Sequence, residues 1–410
     1  MTYHDGNTIL DLMLADIIRR IQLTDTDRAR GNSAYRSIAD HLDSEGSLLA
    51  GTVARVYGQG SLPQGSTILH GDETEDRFDI DAIVEIVLQE WADPKYVQEQ
   101  LYKSLNRGRY AGKVTRKSRC VTIQQLNLHI DLTPVVRLPL NMERPSRGFH
   151  FNHEDPAIKY HFETNPKGML DYFRRAMPKY YVNIPAFDHA PNVRQFMEAA
   201  ETEPLPDAIP LGVQPIRLMA LQLLKRYRNR RYSKRDGRQV PSVYLSYMAA
   251  TVQQSASSLL RDLITLAQAI RQDLFNAWRL DLVVDHKNPT WNAERINDRW
   301  PATLRDEEIF ITDLDHLVSE LTSAAGKSLE QQQRILSRLF GEKPTEYALN
   351  QLIERTDDSL LRNVAKTLVG KGGVTVASIA PVGALVSAPA QASLSSPRNT
   401  NFGGYLDDDC

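Results

Sequence analysis

The chain reads Gly-Gln-Gly-Ser-Leu-Pro-Gln-Gly-Ser-Thr-Ile at 58–68 and Phe-Asp-Ile-Asp-Ala-Ile-Val-Glu at 78–85. A glycine- and serine-rich turn is therefore followed by two carboxylates two positions apart. In an extended strand such side chains point to the same face, so Asp79 and Asp81 are predicted to lie side by side. Like charges this close repel unless a cation lies between them, and a divalent metal ion commonly fills that role.

A third acidic residue, Asp131, belongs to Leu-His-Ile-Asp-Leu on another alternating segment. Three strand-borne carboxylates after a Gly-Ser turn predict two Mg²⁺ ions, with Mn²⁺ as an alternative, that hold a nucleoside triphosphate. In nucleotidyl transfer Asp131 would also accept the proton of the attacking hydroxyl. An isolated Asp-x-Asp is usually a solvated strand edge. Here Ile80 and Ile83 indicate a buried segment, where acids need a partner.

The turn supplies groups that can bind phosphate. Gly60 allows close backbone approach, and the amide and hydroxyl of Ser61 can donate to phosphate oxygens. Gln59, Gln64 and Thr67 are further candidates in the same turn. A Gly-Ser pair alone marks only a turn, and the Asp pair that follows gives it weight.

Two cationic side chains, Lys225 and Arg228, lie three positions apart on a predicted helix and share one face. Lys225 is predicted to contact the triphosphate, because such a site needs positive charge. The basic run continues to Arg238, and a solvated basic face is an equal alternative for it. Ser242 is predicted to add a hydroxyl and Tyr244 to stack on a base, with a helix cap and a core position as equal alternatives.

Composition sets broader limits on the class of protein. The chain has 410 residues, 41% apolar and 24% charged, and a net charge of −2, which favours a soluble two-domain protein over a nucleic-acid coat. Two cysteines imply no disulfide framework, and no apolar run reaches membrane-spanning length, so a cytoplasmic enzyme without membrane contact is predicted. The ten histidines lack metal-ligand spacing, and His129 is expected to point away from Asp131.

Periodicity predicts an α+β fold with mixed elements in the first part of the chain. The predicted helices there are 8–22, 34–50 and 94–106. The predicted strands are 53–57, 80–87, 113–124 and 126–135, with Pro134 closing the last one.

Long helices without strands are predicted after residue 168. They cover 214–230, 242–254, 257–278, 304–323, 328–339 and 346–368, after a linker punctuated by Pro204, Pro206 and Pro210. From residue 371 the composition favours a flexible tail. The predicted domains are therefore a catalytic lobe at 1–200, a helical lobe at 201–370 and a tail at 371–410.

These motifs resemble a known family. Gly60-Ser61, Asp79-x-Asp81 and Asp131 are similar to the polymerase-β-like nucleotidyltransferase pattern. Longer stretches resemble one branch, the bacterial cGAS/DncV-like nucleotidyltransferases (CD-NTases) of cyclic-oligonucleotide-based anti-phage signalling (CBASS). Those stretches are Leu-His-Ile-Asp-Leu-Thr-Pro at 128–134, Asn-Pro-Lys-Gly at 165–168, Leu-Leu-Lys-Arg-Tyr-Arg at 223–228 and the serine-bearing helix after Pro241.

The resemblance implies a polymerase-β-like lobe and an all-helical lobe with the active site between them. It implies Mg²⁺-dependent synthesis of a cyclic di- or trinucleotide second messenger from ATP and other nucleoside triphosphates, with no obligatory template. It also implies that an E1/E2-like conjugating enzyme and an isopeptidase act on the tail. The terminal residue is Cys410 rather than the small residue expected of such tails.

Two other functions fit the same residues. A template-independent or RNA-modifying nucleotidyltransferase would use the same chemistry, although it favours a basic surface and the net charge is −2. A catalytically idle nucleotide-binding scaffold that acts through its tail is the second alternative. The complete set of three carboxylates argues against it.

Overall fold

The computed structural model describes residues 8–69, 78–125, 128–139, 145–178, 214–253, 258–355 and 366. The strands within these ranges are β1 (Val53–Gln59), β2 (Phe78–Ile86), β3 (Val114–Arg116), β4 (Val121–Gln125), β5 (Leu128–Arg137), β6 (Ser146–Phe151), β7 (Lys159–Thr164), β8 (Lys287–Asn288) and β9 (Trp291–Arg295). The helices are α1 (Thr8–Ile21), α2 (Asp25–Asp43), α3 (Pro94–Leu105), α4 (Pro166–Ala176), α5 (Ile216–Tyr232), α6 (Ser242–Thr251), α7 (Leu259–Trp278), α8 (Leu304–Ala324), α9 (Leu329–Phe340) and α10 (Glu342–Arg355). The mixture of a sheet with many helices confirms the α+β prediction.

One mixed sheet organises the first part of the chain. Its strands run in the order β1-β2-β5-β4-β3, and β6 joins the far end of β5 and carries β7. The central pair, β2 and β5, is parallel, and the other pairs are antiparallel. Both central strands are largely buried, as their apolar runs predict.

The alternation of β2 separates a core face from a site face. Ile80, Ala82 and Val84 pack with apolar residues of α2 and α3 in one hydrophobic core. Asp79 and Asp81 therefore point away from that core, as side chains two positions apart must. We call this sheet with α2 and α3 the sheet lobe.

A second core joins the helices from α4 to α10. The first helix, α1, also belongs to it, with Leu10, Met13 and Leu14 fully buried. The Arg355 guanidinium donates to Asp16 at 2.7 Å through two nitrogens, which fixes α1 against α10. We call these helices the helical lobe.

Two early boundaries differ from the predictions. The second helix covers Asp25–Asp43 rather than 34–50, because a capping box begins it at Thr24. The Thr24 hydroxyl accepts a hydrogen bond from the Asp27 amide, and the Asp27 carboxylate accepts one from the Thr24 amide. The predicted strand 113–124 is two strands, since Lys117 donates to the Cys120 carbonyl and closes a tight turn between β3 and β4.

Two strand predictions were wrong. Pro134 does not end β5, which continues to Arg137. On one edge β5 pairs with β4 as far as Leu132 and with β6 from Val135, so Pro134 lies in the gap between these two pairings. Strands also occur after residue 168, as the short hairpin β8–β9. The hairpin is polar and too short to show an apolar period. The pattern also left β6 and β7 unassigned.

Five of the six long helices predicted for the second half are present within a few residues at each end. Helix α10 begins at Glu342 rather than 346 and is described to Arg355. The predicted linker with Pro204, both domain boundaries, and the tail with Cys410 lie outside the described residues. Among the described helices, none is long and apolar enough to cross a membrane.

Candidate active site

A cavity of about 660 Å³ opens between the site face of the sheet lobe and the helical lobe. The sequence-predicted residues that line it are Gln59, Gly60, Ser61, Gln64, Thr67, Asp79, Asp81, Asp131, Lys225, Arg228 and Ser242. Residues that are far apart in sequence are therefore brought to one place.

The carboxylates meet because their strands are in register. Asp81 is directly opposite Asp131 on the parallel pair β2–β5, and Asp79 is opposite His129. Adjacent strands lie about 4.8 Å apart, so the three carboxylates share one small area of the sheet. The expectation that His129 points away was wrong. Residues 129 and 131 share a strand face, and His129 Nδ1 lies 3.6 Å from Asp79 Oδ1.

Asp131 is the most enclosed of the three acids. It accepts a hydrogen bond from Thr122 on one oxygen and from Lys117 Nζ at 2.9 Å on the other. Burial raises its pKa above the usual 3.8, the charge of Asp79 adds to this, and the contacts with Lys117 and Thr122 oppose it. The site therefore concentrates negative charge that a cation would relieve.

Gly60 brings the turn close to the acids. Its φ of +67° is a left-handed conformation that glycine adopts readily, and a Cβ atom there would lie 2.9 Å from Asp81 Oδ2. The neighbouring Gln59 pairs with Asp81 across β1 and β2. On the other side of Asp81, the Tyr35 hydroxyl donates to its carbonyl at 3.1 Å. The backbone on both sides of the acid pair is thus fixed.

Lys225 extends from α5 into the turn. Its Nζ donates to Ser61 Oγ at 2.9 Å and to Ser66 Oγ at 2.8 Å, and the residue is 2% exposed. Burial lowers its pKa well below 10.5, Arg228 lowers it further, and Asp81 opposes the change. A triphosphate in the cavity would favour the charged ammonium.

Arg228 lines the cavity and also braces the helical lobe. It donates to the Val240 carbonyl, to Ser242 Oγ at 3.1 Å and to Asn229 Oδ1 at 2.8 Å. Ser242 begins α6, and its side chain does not cap that helix.

The other predicted residues of the helical lobe have structural roles. Tyr244 is fully buried and donates to Asp273 at 2.8 Å, so its core alternative is the correct one. In the basic run, Arg231 and Arg235 pair with the buried carboxylate of Asp313. Part of that run is therefore half-buried and paired rather than a freely solvated face.

The turn has further polar partners. Gln64 accepts from Ser246 Oγ at 2.8 Å and from Ser66 Oγ at 3.3 Å. The buried Thr67 hydroxyl has no hydrogen-bond partner and belongs to a residue that lines the cavity. A hydroxyl left without a partner at the cavity wall suits a polar ligand.

The donor set fits divalent magnesium. The candidate ligands are oxygen-only carboxylates, which Mg²⁺ prefers, and they share one face. Within the described ranges, no three His, Cys, Asp or Glu side chains are close enough to enclose an ion by themselves. Mg²⁺ commonly completes its coordination with substrate phosphates and water, so carboxylates alone need not enclose it.

Sequence patterns missed several residues that hold the acids or line the cavity. Thr122 and Lys117 hold Asp131, and the strand alternation of β4 could have pointed to Thr122. Arg119 and Asp298 also line the cavity, from a tight turn and from the residues after β9. No local pattern marks those two.

Residues 10–170 match the family model described as Second Messenger Oligonucleotide or Dinucleotide Synthetase domain. The chain is 29% identical over 413 residues to the cyclic dinucleotide synthase CdnG of Bradyrhizobium diazoefficiens, covering 96% of this chain and 94% of that protein. It is 24% identical over 354 residues to the c-di-GMP synthase of Roseivirga ehrenbergii, covering 83% of this chain and 86% of that protein. The solved structure of the B. diazoefficiens CD-NTase CdnG in complex with GTP matches with a TM-score of 0.70 at 26% identity. The match covers 83% of this chain and 98% of that chain.

Proposed function

We propose that the chain is a cGAS/DncV-like nucleotidyltransferase (CD-NTase), on its similarity to the synthetase family model and to CdnG, and that it joins nucleoside triphosphates, ATP among them, into a cyclic di- or trinucleotide. The observation that carries the proposal is the register of Asp81 with Asp131 on parallel strands, beside the turn of Gly60 and Ser61. Carboxylates and phosphate-binding groups thus face one cavity.

Each transfer forms one bond and breaks one. A ribose hydroxyl oxygen of one nucleotide attacks the α-phosphorus of another, the α–β anhydride bond breaks, and pyrophosphate leaves with the electron pair. The hydroxyl proton passes to Asp131 in our proposal. For a cyclic dinucleotide a second transfer, within the linear product, closes the ring; a cyclic trinucleotide needs one more transfer before closure.

The protein residues position and neutralise the reactants. Gly60 and Ser61 bind the phosphate oxygens, and Lys225 supplies positive charge beside them. Asp79, Asp81 and Asp131 would hold two Mg²⁺ ions, with Mn²⁺ as the alternative. When bound, such ions lower the pKa of the attacking hydroxyl and stabilise the leaving pyrophosphate.

The test uses the full-length protein with ATP, GTP, CTP, UTP and Mg²⁺ in the absence of RNA. Phosphatase-resistant cyclic products are expected by mass spectrometry, and a chelator should abolish them. The variant Asp79→Asn with Asp81→Asn should fold and give no product. Asp315→Asn, which removes an exposed carboxylate paired with Arg271, is the matched control.

Three results would contradict the proposal. A requirement for added RNA would favour the RNA-modifying alternative. Product from the doubly substituted protein would place the metal site elsewhere, and an inactive wild-type protein that still binds nucleotide would favour the scaffold alternative.

We further propose that the product acts as a second messenger in anti-phage defence and that an E1/E2-like enzyme conjugates the tail at 371–410. Both rest on the family resemblance. Phage challenge of cells that carry the wild-type or the Asp79/Asp81 variant tests the first. Intact-mass analysis after co-expression with such a ligase tests the second; an unchanged mass contradicts it.

A further inference from the structure

A group of polar and aromatic residues lines the cavity away from the Gly60–Ser61 turn. Arg119 Nη2 donates to the Asp298 carboxylate and to the Tyr160 hydroxyl at 3.2 Å. The guanidinium carbon of Arg119 also lies 4.2 Å from the ring centroid of Phe162. All four line the cavity, and we call them the Arg119–Asp298 cluster.

Burial and packing hold the residues of this cluster in place. The Arg119 side chain is 9% exposed, and its buried Nε has no hydrogen-bond partner. Phe162 packs over Gly148 of β6, where a Cβ atom would lie 2.2 Å from the ring. Asp298 is 31% exposed and Tyr160 43%. A carboxylate and an aromatic ring thus remain accessible to a ligand.

The order of the strands assigns the cluster to one of the two reacting nucleotides. The phosphate-binding turn follows β1, and β2, β5 and β4 come next across the sheet. Asp131 on β5 therefore lies between that turn and the turn at 117–120 that carries Arg119. In the proposed function the attacking hydroxyl is at Asp131, so the nucleotide that supplies it extends toward the Arg119–Asp298 cluster.

The chemistry of the cluster matches guanine. Guanine presents N1–H and N2–H₂ as adjacent donors, beside the O6 acceptor. A carboxylate accepts both donors, and a guanidinium donates to O6. Adenine places an acceptor, N1, where guanine has the N1–H donor, so a carboxylate there meets a lone pair. The exposed ring of Tyr160 provides a stacking surface that any base can use.

We propose that Asp298, positioned by Arg119, selects guanine in the nucleotide that supplies the attacking hydroxyl. This inference rests on the proposed function and adds the base identity at one position. The similarity to CdnG, whose structure contains GTP, is consistent with it.

The experiment separates the attacking nucleotide from the nucleotide that is attacked. 2′,3′-Dideoxynucleoside triphosphates lack both ribose hydroxyls, so they only donate a nucleotidyl group. Each of the four ordinary triphosphates is mixed with them at equal concentration, and the linear products are quantified by mass spectrometry. The wild type should use GTP as the attacking nucleotide at least about 10-fold better than ATP, as expected for a bidentate hydrogen-bonded contact to the base.

The variant Asp298→Asn should lower that GTP-to-ATP ratio by at least about 10-fold, because an amide offers one donor and one acceptor and so suits adenine. Asp285→Asn, which alters an exposed pair with Arg295 in the same region, should keep the wild-type ratio. Unfolding temperatures verify that both variants fold.

Several outcomes would overturn the inference. One is a wild-type protein that shows no preference for GTP, and another is an Asp298→Asn ratio equal to that of the wild type. Equal loss of transfer from all four bases would mean that Asp298 has only a structural role. If the wild type makes no linear or cyclic product at all, the proposed function itself fails.

Discussion

Lys225 Nζ lies 2.9 Å from Ser61 Oγ, and this hydrogen bond joins α5 of the helical lobe to the Gly60–Ser61 turn of the sheet lobe. The ammonium is buried, and burial is the main reason why its pKa is lowered. In the absence of a phosphate the protein therefore keeps an ionisable amine where a positive charge is costly. A group retained at such a cost is characteristic of functional sites.

The first prediction concerns stability and pH. The lysine has its ordinary pKa of 10.5 when unfolded and a lower one when folded, so between the two values the unfolded state binds more protons. Stability of the wild type should therefore rise with pH through that interval, relative to Lys225→Met. Urea unfolding at several pH values measures this. If the free energy of unfolding changed with pH in the same way for both proteins, the lowered pKa assigned to Lys225 would be contradicted.

The second prediction concerns proton uptake. A bound triphosphate adds negative charge beside Lys225 and should raise its pKa, so nucleotide binding should take up protons at a pH above the lowered pKa. Calorimetry with a nonhydrolysable triphosphate in buffers of different ionisation enthalpy detects this uptake. Lys225→Met should bind more weakly and take up fewer protons. An unchanged proton count in that variant would exclude Lys225 as the source.

The third prediction uses two glycines with the same backbone conformation. Gly60 and Gly51 have φ of +67° and +70°, but a Cβ at Gly51 meets nothing within 4 Å. Alanine at either position should cost about 1–2 kcal/mol of stability. Only Gly60→Ala should also abolish activity, because it displaces Asp81. Activity assays and denaturant unfolding of both variants check this, and equal activities would contradict the role assigned to Gly60.

The fourth prediction concerns Asp131, whose pKa is raised chiefly by burial. A raised carboxyl pKa favours folding at low pH, and this contribution is lost as the pH rises through the folded-state pKa. At neutral pH Asp131→Asn should therefore be at least as stable as the wild type, while transfer falls by at least about 100-fold. A variant that is destabilised and equally active would reverse both conclusions.

The fifth prediction separates stability from catalysis. Arg217 donates two hydrogen bonds of 2.8 Å to Asp262, and both side chains are fully buried away from the cavity. Asp262→Asn leaves a buried guanidinium charge without its counter-charge and should cost about 3–5 kcal/mol. Thermal unfolding measures the loss. Transfer per folded molecule should remain at the wild-type level.

Much of the sheet lobe followed from local pattern. The apolar residues around Asp79 and Asp81 predicted a buried strand, and the alternation predicted that both acids share a face. The structure agrees, since Ile80 and Ala82 enter the core while the acids line the cavity.

Errors arose where long-range contacts determine the outcome. The end of β5 depends on strands β4 and β6 on its edge rather than on Pro134 itself. The hairpin β8–β9 has polar strands that pack against β7, a contact no local period indicates.

The sequence by itself identified the candidate side chains for the proposed chemistry, because carboxylates on an alternating strand and a glycine in a turn are properties of neighbouring residues. Only the tertiary structure decided what surrounds them. Lys117, in a short turn, and Thr122, on β4, contact Asp131 on the neighbouring strand. Asp298 contacts Arg119 from a segment far away in the sequence. Such contacts depend on the register of the strands and the packing of the lobes. Both are set by residues throughout the chain, so no local pattern predicts them.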